Sequence, residues 1–427
     1  MRLQPACAAH PCLEEGTRMT VTPSSVTLPI VMGGAEFAAD PPAHYTWLRE
    51  NSPLGQIRLD FGAFAQDVWV VSRYADCKAM LTDPRLLRSP YGPPPGVEIP
   101  EHIRLVSSTL DMKDKDEHRR LRSLVAAPFT PKRIEHLGAQ VRVLAERRLD
   151  ALGGGSGPID LRQDFALPVT YTVIADLVGV GEQDRVRFQQ GVTALMSGFS
   201  GSQEDWEAHV RDLVDVTRDL VARKRAEPGD DLVTGLIEAE EAGDRLADTE
   251  LVAMVFSLVT AGYETTYNLI TNAVAALLDH PDQLDLLRAA PDDEALWRSA
   301  VDEVARYLPP ITGTRPATAV EDIEWHGQTV PAGASVLPLL AAANRDPEVF
   351  EEPERFDITR SPNPHLGFGH GVHFCLGANL ARMEARMALQ VLFERHPGLS
   401  LAVGRDELVL EPMPLWTRFR ELPVVLG

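Results

Sequence analysis

The sequence predicts a mainly α-helical protein with a small β region, folded as one domain. Helical periodicity runs through most of residues 131–307 and returns after Cys375, whereas strand-like alternation is confined to two short regions. Apolar residues make up 44% of the 427 positions and charged residues 24%, which is ordinary usage for a globular protein with a large core. This composition excludes a disordered chain, a collagen and a disulfide scaffold.

The N-terminal part of the chain predicts a leader and then the β region. Residues 1–28 have little hydrophobic pattern and contain a second possible start at Met19, so we expect a disordered leader before a single domain over 29–427. Strands are predicted over 56–61 and 68–72, and residues 323–330 have the pattern of a hairpin around Gly327.

Long helices account for most of the remainder. The periodicity predicts them over 131–152, 167–177, 211–225, 249–280 and 293–307, and again from Cys375 to Arg395. The helix over 249–280, with Asp248 as its N-cap, would be about 32 residues or roughly 50 Å long. A helix of that length must cross the whole molecule.

This central helix changes character halfway along. Its first half, LVAMVFSLVTAG, is apolar nearly all round, as in a helix buried in a large core. The segment AGYETT at 261–266 then places a glycine, an acid and two hydroxyls in the buried rod, where each carries a helix or desolvation penalty. Small residues here allow a flat ligand to approach the backbone, whereas a solvated groove is the alternative for this segment alone.

Cys375 lies at the predicted entrance of the last helix, within the segment FGHGVHFCLG at 368–377. A thiolate there lies at the positive end of the helix dipole and can accept hydrogen bonds from free backbone N–H groups, which lowers its pKa. Gly369 and Gly371 permit a tight turn. Taken alone, these residues leave two alternatives, a buried structural cysteine and a zinc site made of His365, His370, His373 and Cys375.

The segment 368–377 resembles the cysteine-ligand loop of cytochromes P450, whose pattern is Phe, two spacers, Gly, three spacers, Cys, one spacer, Gly. All four fixed positions match, at Phe368, Gly371, Cys375 and Gly377. Three further motifs follow the family order: AGYETT resembles the oxygen-binding segment, Glu303 and Arg306 form the E-x-x-R pair, and PERF occupies 353–356. The resemblance covers roughly residues 35–420 and implies the single-domain P450 fold, with a long central helix and a haem-thiolate loop.

The resemblance also implies roles for individual residues. Cys375 would bind the iron of haem b, and Glu264 with Thr265 would deliver protons during oxygen activation. Arg355 would complete a structural cluster with Glu303 and Arg306. Residues implied in haem binding are His118, Arg122, Arg315 and His373, as partners of the propionates, together with Phe368, Gly377 and Ala261.

The implied function is that of a bacterial class I monooxygenase that hydroxylates or epoxidises an apolar small molecule. Similarity around GVEIPEHI and the cysteine loop is to actinobacterial enzymes that act on macrolide or polyketide metabolites. The chain has no G-x-G-x-x-G nucleotide fingerprint, so electrons from NAD(P)H would come through a separate ferredoxin and its reductase. The alternatives are a peroxide-driven, coupling or desaturating oxidase of the same fold, and a non-catalytic haem- or zinc-binding module.

Charge and cysteine content limit the partners and the compartment. With 41 Lys and Arg against 62 Asp and Glu, the formal charge is −21, and such a surface repels nucleic acids and anionic membranes. Four cysteines are too few for a secreted disulfide framework, and no signal peptide or membrane span is evident. The sequence therefore predicts a cytoplasmic protein that binds neither nucleic acid nor membrane.

Overall fold

The long helices and short strands expected from the sequence are present in a computed structural model of the chain. It describes residues 26–62, 65–88, 100–106, 108–126, 129–153, 157–197, 202–241 and 247–427, with the side chains of 131–133, 136, 194–197, 203 and 239–241 left aside. Most of the predicted leader, residues 1–25, lies outside the described part of the chain.

Fifteen α-helices are formed within the described residues. They are α1 (Ala35–Ala39), α2 (Pro41–Asn51), α3 (Tyr74–Thr82), α4 (Glu101–Val106), α5 (Lys115–Val125), α6 (Pro131–Leu152), α7 (Leu167–Val178), α8 (Glu182–Ser197), α9 (Gln203–Ala226), α10 (Leu232–Glu241), α11 (Asp248–Asp279), α12 (Pro281–Ala289), α13 (Glu294–Tyr307), α14 (Leu340–Ala343) and α15 (Ala378–Arg395).

Eleven short strands complete the described structure. They are β1 (Val31–Met32), β2 (Leu54–Asp60), β3 (Ala65–Val71), β4 (Leu86–Leu87), β5 (Ile159–Asp160), β6 (Ala317–Ala319), β7 (Ile323–Trp325), β8 (Gln328–Val330), β9 (Ser335–Pro338), β10 (Ser400–Leu401) and β11 (Pro423–Val425). The main sheet has the order β1-β2-β3-β9-β6-β4, a second sheet has the order β10-β11-β5, and β7 and β8 form a hairpin.

The pairings of the main sheet bring distant parts of the chain together. β3 pairs with β9 in parallel, with Trp69 opposite Val336. β4 pairs with β6 in antiparallel orientation, with Leu87 opposite Thr318. The residues that follow β4 therefore lie beside the segment that precedes β6.

The main hydrophobic core surrounds α11, a helix of 32 residues whose side chains are mostly buried from Leu251 to Leu277. Because this helix is enclosed by other helices along most of its length, an apolar surface on nearly every side is stable there. Gly262 allows the close packing of α7, since a Cβ at this position would lie 2.6 Å from the Ile174 Cδ1 atom. Two smaller clusters pack on the sheet.

The mainly helical, single-domain fold was predicted correctly. The predicted helix over 131–152 has the observed bounds, and β7 and β8 form the predicted hairpin, with His326 and Gly327 both at positive φ. The central helix begins at Asp248 and not after it, because Ala247 takes the N-cap position and its N–H donates to the Glu250 Oε2 atom. Within the described residues no single helix could cross a membrane, although the bent pair Arg162–Val178 and Glu182–Thr193 meets the length and composition requirement jointly.

Candidate active site

A cavity of about 380 Å³ lies between α11 and the segment that precedes α15. Its walls are mostly apolar, and they bring together residues from α5, α7, α11, the segment before β6 and the 367–381 region. The lining includes every residue that the sequence assigned to cofactor binding: His118, Arg122, Ala261, Arg315, Phe368, His373 and Gly377. Cys375 and Thr265 also line it.

The loop that carries Cys375 is built on two glycines at positive φ, Gly369 at 75° and Gly371 at 72°. This conformation is costly for other residues and turns the chain so that the Cys375 N–H donates to the Phe368 carbonyl at 2.9 Å. α15 begins at Ala378, three residues beyond the cysteine. The predicted position of Cys375 at a helix entrance is therefore confirmed.

The Cys375 thiol faces the cavity, and the cysteine is exposed there. Desolvation by the surrounding protein raises the pKa of Cys375, opposite to the lowering expected at a helix entrance, while the Gly377 N–H and the charges of Arg122 and Arg382 act in the other direction. An N–H donor and two guanidinium groups are the surroundings that stabilise a thiolate.

Basic side chains cluster at one part of the cavity wall. The rings of His118 and His373 are in tilted contact with their centroids 4.3 Å apart, and the Arg122 Nη2 donates to the Phe374 carbonyl at 2.8 Å. Burial and neighbouring cations lower the pKa of His118, and they lower that of His373 to about 4. Both imidazoles therefore favour the neutral form, and the positive charge that a pair of buried carboxylates requires comes from the arginines of this wall.

Arg88 belongs to the same cluster, and sequence reasoning missed it as a cofactor residue. Its side chain donates to the Arg315 carbonyl and to the Thr314 hydroxyl, the latter at 3.2 Å. Arg315 itself pairs with Asp111 at 2.9 Å. Arg88 is part of no motif, and only the pairing of β4 with β6 places it beside Arg315.

Thr265 and Glu264 are neighbours in sequence but have different surroundings. Thr265 lines the cavity and its hydroxyl donates to the Ala261 carbonyl at 2.9 Å. Glu264 is not among the lining residues. It is buried and its Oε1 accepts from Arg418 at 2.5 Å and from Tyr267 at 3.1 Å.

The Glu264 carboxylate is held in a buried ionic cluster. Arg418 also pairs with Glu411, and the Tyr267 hydroxyl accepts from Arg162 at 3.1 Å. Burial raises the pKa of Glu264, against the charge of Arg418. Its second oxygen has no hydrogen-bond partner within the described part of the chain, so one oxygen is left for a proton or a further donor.

Glu303 and Arg306 form a fully buried ion pair on α13, at 2.8 Å. Arg306 also donates to the carbonyls of Asn344, Pro353 and Arg355, which ties α13 to the segment before the cysteine loop. The predicted pairing of Glu303 with Arg306 is confirmed.

The prediction that the Arg355 side chain completes this cluster is wrong. Its guanidinium is exposed and pairs with Glu352 at 3.0 Å, so that only its carbonyl takes part. Arg360 supplies the third charge, with its Nε 3.3 Å from Glu303. The chain turns after Pro353 and directs the Arg355 side chain outward, whereas Arg360 folds back over Glu303.

The residues present fit a haem group. A thiol with stabilising donors, a cationic patch of histidine and arginine, and small residues Ala261 and Gly262 line one cavity. No group of three or more His, Cys, Asp or Glu residues that could hold a metal ion occurs in the described ranges. Of the four residues in the zinc alternative, His365 contacts Asp302 and the His373 ring contacts that of His118.

A family model for cytochrome P450 matches residues 64–397. The chain is 40% identical over 400 residues to Cytochrome P450 107B1 of Saccharopolyspora erythraea, covering 92% of this chain and 96% of that protein. It is 38% identical over 413 residues to the cytochrome P450 monooxygenase PikC of Streptomyces venezuelae, covering 96% of each. The solved structure of Bacillus subtilis PksS superimposes with a TM-score of 0.85 at 35% identity, covering 92% of this chain and 99% of that one.

The chain therefore belongs to the cytochrome P450 family. It is an oxidoreductase that uses haem iron and electrons from NAD(P)H delivered by partner proteins, and it acts as a monooxygenase on a small molecule. The alternative of a non-catalytic haem- or zinc-binding module is wrong.

Proposed function

We propose that this enzyme hydroxylates or epoxidises an apolar secondary metabolite of the macrolide or polyketide type, with Cys375 as the ligand of the haem iron. The observation that carries the proposal is the single cavity that brings Cys375, Thr265 and the cationic wall together. When bound, the haem supplies the iron centre at which O₂ is activated and one oxygen atom is inserted into the substrate.

Five basic side chains would hold the haem propionates: Arg88, His118, Arg122, Arg315 and His373. Two buried carboxylates need charged donors, and these side chains line one part of the cavity. Burial is the main cause of the lowered pKa values of His118 and His373, and a carboxylate beside them would raise both, because a negative charge favours the protonated imidazole. Phe368, Ala261 and Gly377 would form the apolar contacts of the group.

Thr265 would hold a proton donor in the cavity, through the hydroxyl that now bonds to Ala261. Glu264 would supply protons to this hydroxyl after leaving its contacts with Arg418 and Tyr267. Its raised pKa favours this use, because a carboxyl that titrates nearer neutrality both takes up and releases a proton readily.

The substrate class is supported by the relatives. The chain is 38% identical to 6-deoxyerythronolide B hydroxylase and to mycinamicin IV hydroxylase/epoxidase, and 36% identical to the polyketide biosynthesis cytochrome P450 PksS. The apolar walls formed by Ile174, Leu258 and Ile311 suit such a substrate. A separate ferredoxin and ferredoxin reductase in the cytoplasm would supply the electrons.

The ligand assignment is tested by the carbon monoxide difference spectrum of the reduced protein. We expect a thiolate-type band in the native enzyme and in Cys77→Ala, the control that removes the other described cysteine, but not in Cys375→Ala. A thiolate-type band in Cys375→Ala would refute the assignment.

The substrate class is tested by titrating macrolactones and other apolar compounds and recording the haem spin state. The expected result is a spin-state change with macrolactones and, with ferredoxin and reductase, a product heavier by one oxygen atom. Turnover of unrelated apolar compounds with no response to macrolactones would refute the class but leave the ligand assignment intact.

A further inference from the structure

Phe368 lines the cavity beside Cys375, and its ring is contacted by two further side chains, those of Arg382 and His365. The Arg382 guanidinium carbon lies 4.2 Å from the centre of the Phe368 ring, within the range of a cation–π contact. The His365 ring centroid lies 5.8 Å from that of Phe368. The Phe368 carbonyl in turn accepts the Cys375 N–H at 2.9 Å.

Asp302 on α13 connects these two side chains. Its Oδ1 accepts from the Arg382 Nε at 2.6 Å and lies 3.2 Å from the His365 Nε2. The Gly367 N–H donates to the His365 Nδ1 at 3.1 Å, so the ring proton is on Nε2 and points to Asp302. One carboxylate oxygen therefore fixes both neighbours of the Phe368 ring.

Burial opposes ionisation of Asp302, but the hydrogen bond from His365 and the charge of Arg382 outweigh it and lower its pKa. The Arg382 side chain is 27% exposed and committed to Asp302 and Phe368. Arg119, by comparison, is 80% exposed and pairs with Asp116, which is itself 91% exposed. The Arg382 side chain is thus fixed by contacts within the protein, whereas that of Arg119 extends into solvent.

We propose that Asp302 is a positioning residue for the haem ligand: through Arg382 and His365 it fixes Phe368, and Phe368 fixes the loop that carries Cys375. The inference rests on the proposed role of Cys375. It assigns Arg382 to this support, in place of the role as a free docking cation for a redox partner that its charge alone would indicate.

The test uses two variants of the full-length holoenzyme, Asp302→Asn and Arg382→Lys. Lysine keeps the positive charge but lacks the planar group that bonds to Asp302 and stacks on the ring. Asp116→Asn and Arg119→Lys are the matched controls, because they make the same changes in an exposed ion pair. The readouts are the rate of haem transfer to excess apomyoglobin and the reduction potential of the haem.

We expect haem transfer to be roughly three- to tenfold faster in Asp302→Asn and Arg382→Lys. The reduction potential of Arg382→Lys should also shift, although its charge is unchanged. Both controls should show the native rate of haem transfer and the native reduction potential.

Native haem transfer and potential in both variants would overturn the proposal, above all if Arg382→Gln slowed only the reduction by ferredoxin. Absence of a thiolate-type carbon monoxide band from the native enzyme would instead show that the ligand assignment had failed.

Discussion

Thr265 is the cavity-facing member of the acid–hydroxyl pair, and its single hydrogen bond to the Ala261 carbonyl leaves its oxygen free to accept. The two roles that a threonine can take on this helix, bonding to the backbone and holding a proton donor, are therefore compatible. They differ in what removal of the hydroxyl does.

Thr265→Ala should retain haem and substrate binding but divert electrons to peroxide, because the cavity would lack the hydroxyl that holds the proton donor. We expect product formed per NAD(P)H to fall by roughly tenfold, measured by quantifying product, NAD(P)H and peroxide together. Thr265→Ser, which keeps the hydroxyl, is the control. Full coupling in Thr265→Ala with a substrate that lacks its own hydroxyl would contradict the proposed role.

Glu384 is a buried acid that the proposed reaction leaves without a role. It lies on α15, one turn after the cavity residues Leu380 and Ala381, and is fully buried. Neither of its carboxylate oxygens has a hydrogen-bond partner among the residues described. Burial raises its pKa well above the usual range. An acid whose pKa is higher in the folded than in the unfolded state makes its full contribution to stability at pH values below its pKa in the unfolded protein. This contribution is lost as the pH rises towards its pKa in the folded protein.

Glu384→Gln should remove this loss of stability at high pH, because glutamine does not ionise. The free energy of unfolding of the variant, relative to the native enzyme, should grow with pH above the ordinary value of 4.5, by at most about 1.4 kcal/mol per pH unit. Denaturant unfolding at about pH 5 and about pH 8 measures the difference. Glu394→Gln, on the same helix but partly exposed and paired with Arg142, should show no such growth. A difference that is independent of pH would mean that Glu384 is not a neutral buried acid.

At the scale of elements, α13 is joined to the segment before the cysteine loop through Glu303. The Glu303 carboxylate contacts Arg306, Arg360 and the Asn363 amide, and it accepts the Asp357 N–H at 2.9 Å. These contacts fix the chain between α14 and Cys375, which has little regular structure of its own.

Arg360→Gln and Arg355→Gln should therefore differ sharply. Loss of Arg360 removes one of the two charges that compensate the buried Glu303 and should cost about 3–5 kcal/mol of stability, with low haem content. Loss of the exposed Arg355 side chain should leave the stability nearly unchanged, because its carbonyl remains available to Arg306. Thermal unfolding and the haem-to-protein ratio measure both. Equal losses of stability and haem content in the two variants would show that the Arg355 side chain does take part in the Glu303 cluster.

The comparison of Arg355 with Arg360 shows where sequence reasoning ends. Motif order located Glu303, Arg306 and Cys375, and periodicity located α6, α7, α11 and α13, because long amphipathic or buried helices repeat their signal over many turns. A motif gives the position of a residue but not the direction of its side chain. The orientation of Arg355, the contact of Glu264 with Arg418 and the position of Arg88 are all set by packing between distant segments, which no local pattern records.

At the scale of the whole molecule, a net charge of −21 coexists with arginines beside the cysteine loop, of which Arg122 and Arg382 act on the Cys375 thiol. Five basic residues of α5, α6 and α15 are candidates for attracting a redox partner there: Arg119 is exposed, Arg120 pairs with Glu250 and Arg382 is committed to Asp302. The side chains of Lys132 and Arg133 lie outside the described residues. The net negative charge of the molecule thus repels an acidic ferredoxin, whereas the exposed basic residues near the cysteine loop attract it.

The effect of salt on the rate at which ferredoxin reduces the enzyme distinguishes the overall repulsion from the local attraction. If the global charge governs the encounter, added salt screens repulsion and the reduction rate rises; if the local cations govern it, added salt screens attraction and the rate falls. We expect a fall, because the Debye length of about 10 Å at 0.1 M salt makes the nearest charges dominant at contact. Stopped-flow reduction by an acidic ferredoxin at several salt concentrations measures whether the rate rises or falls.

Arg119→Gln should lower the rate at low salt and flatten its salt dependence. Arg58→Gln, which removes an exposed arginine of the β2–β3 hairpin, should change neither. A rate that rises with salt in the native enzyme would show that the partner docks elsewhere or is not acidic.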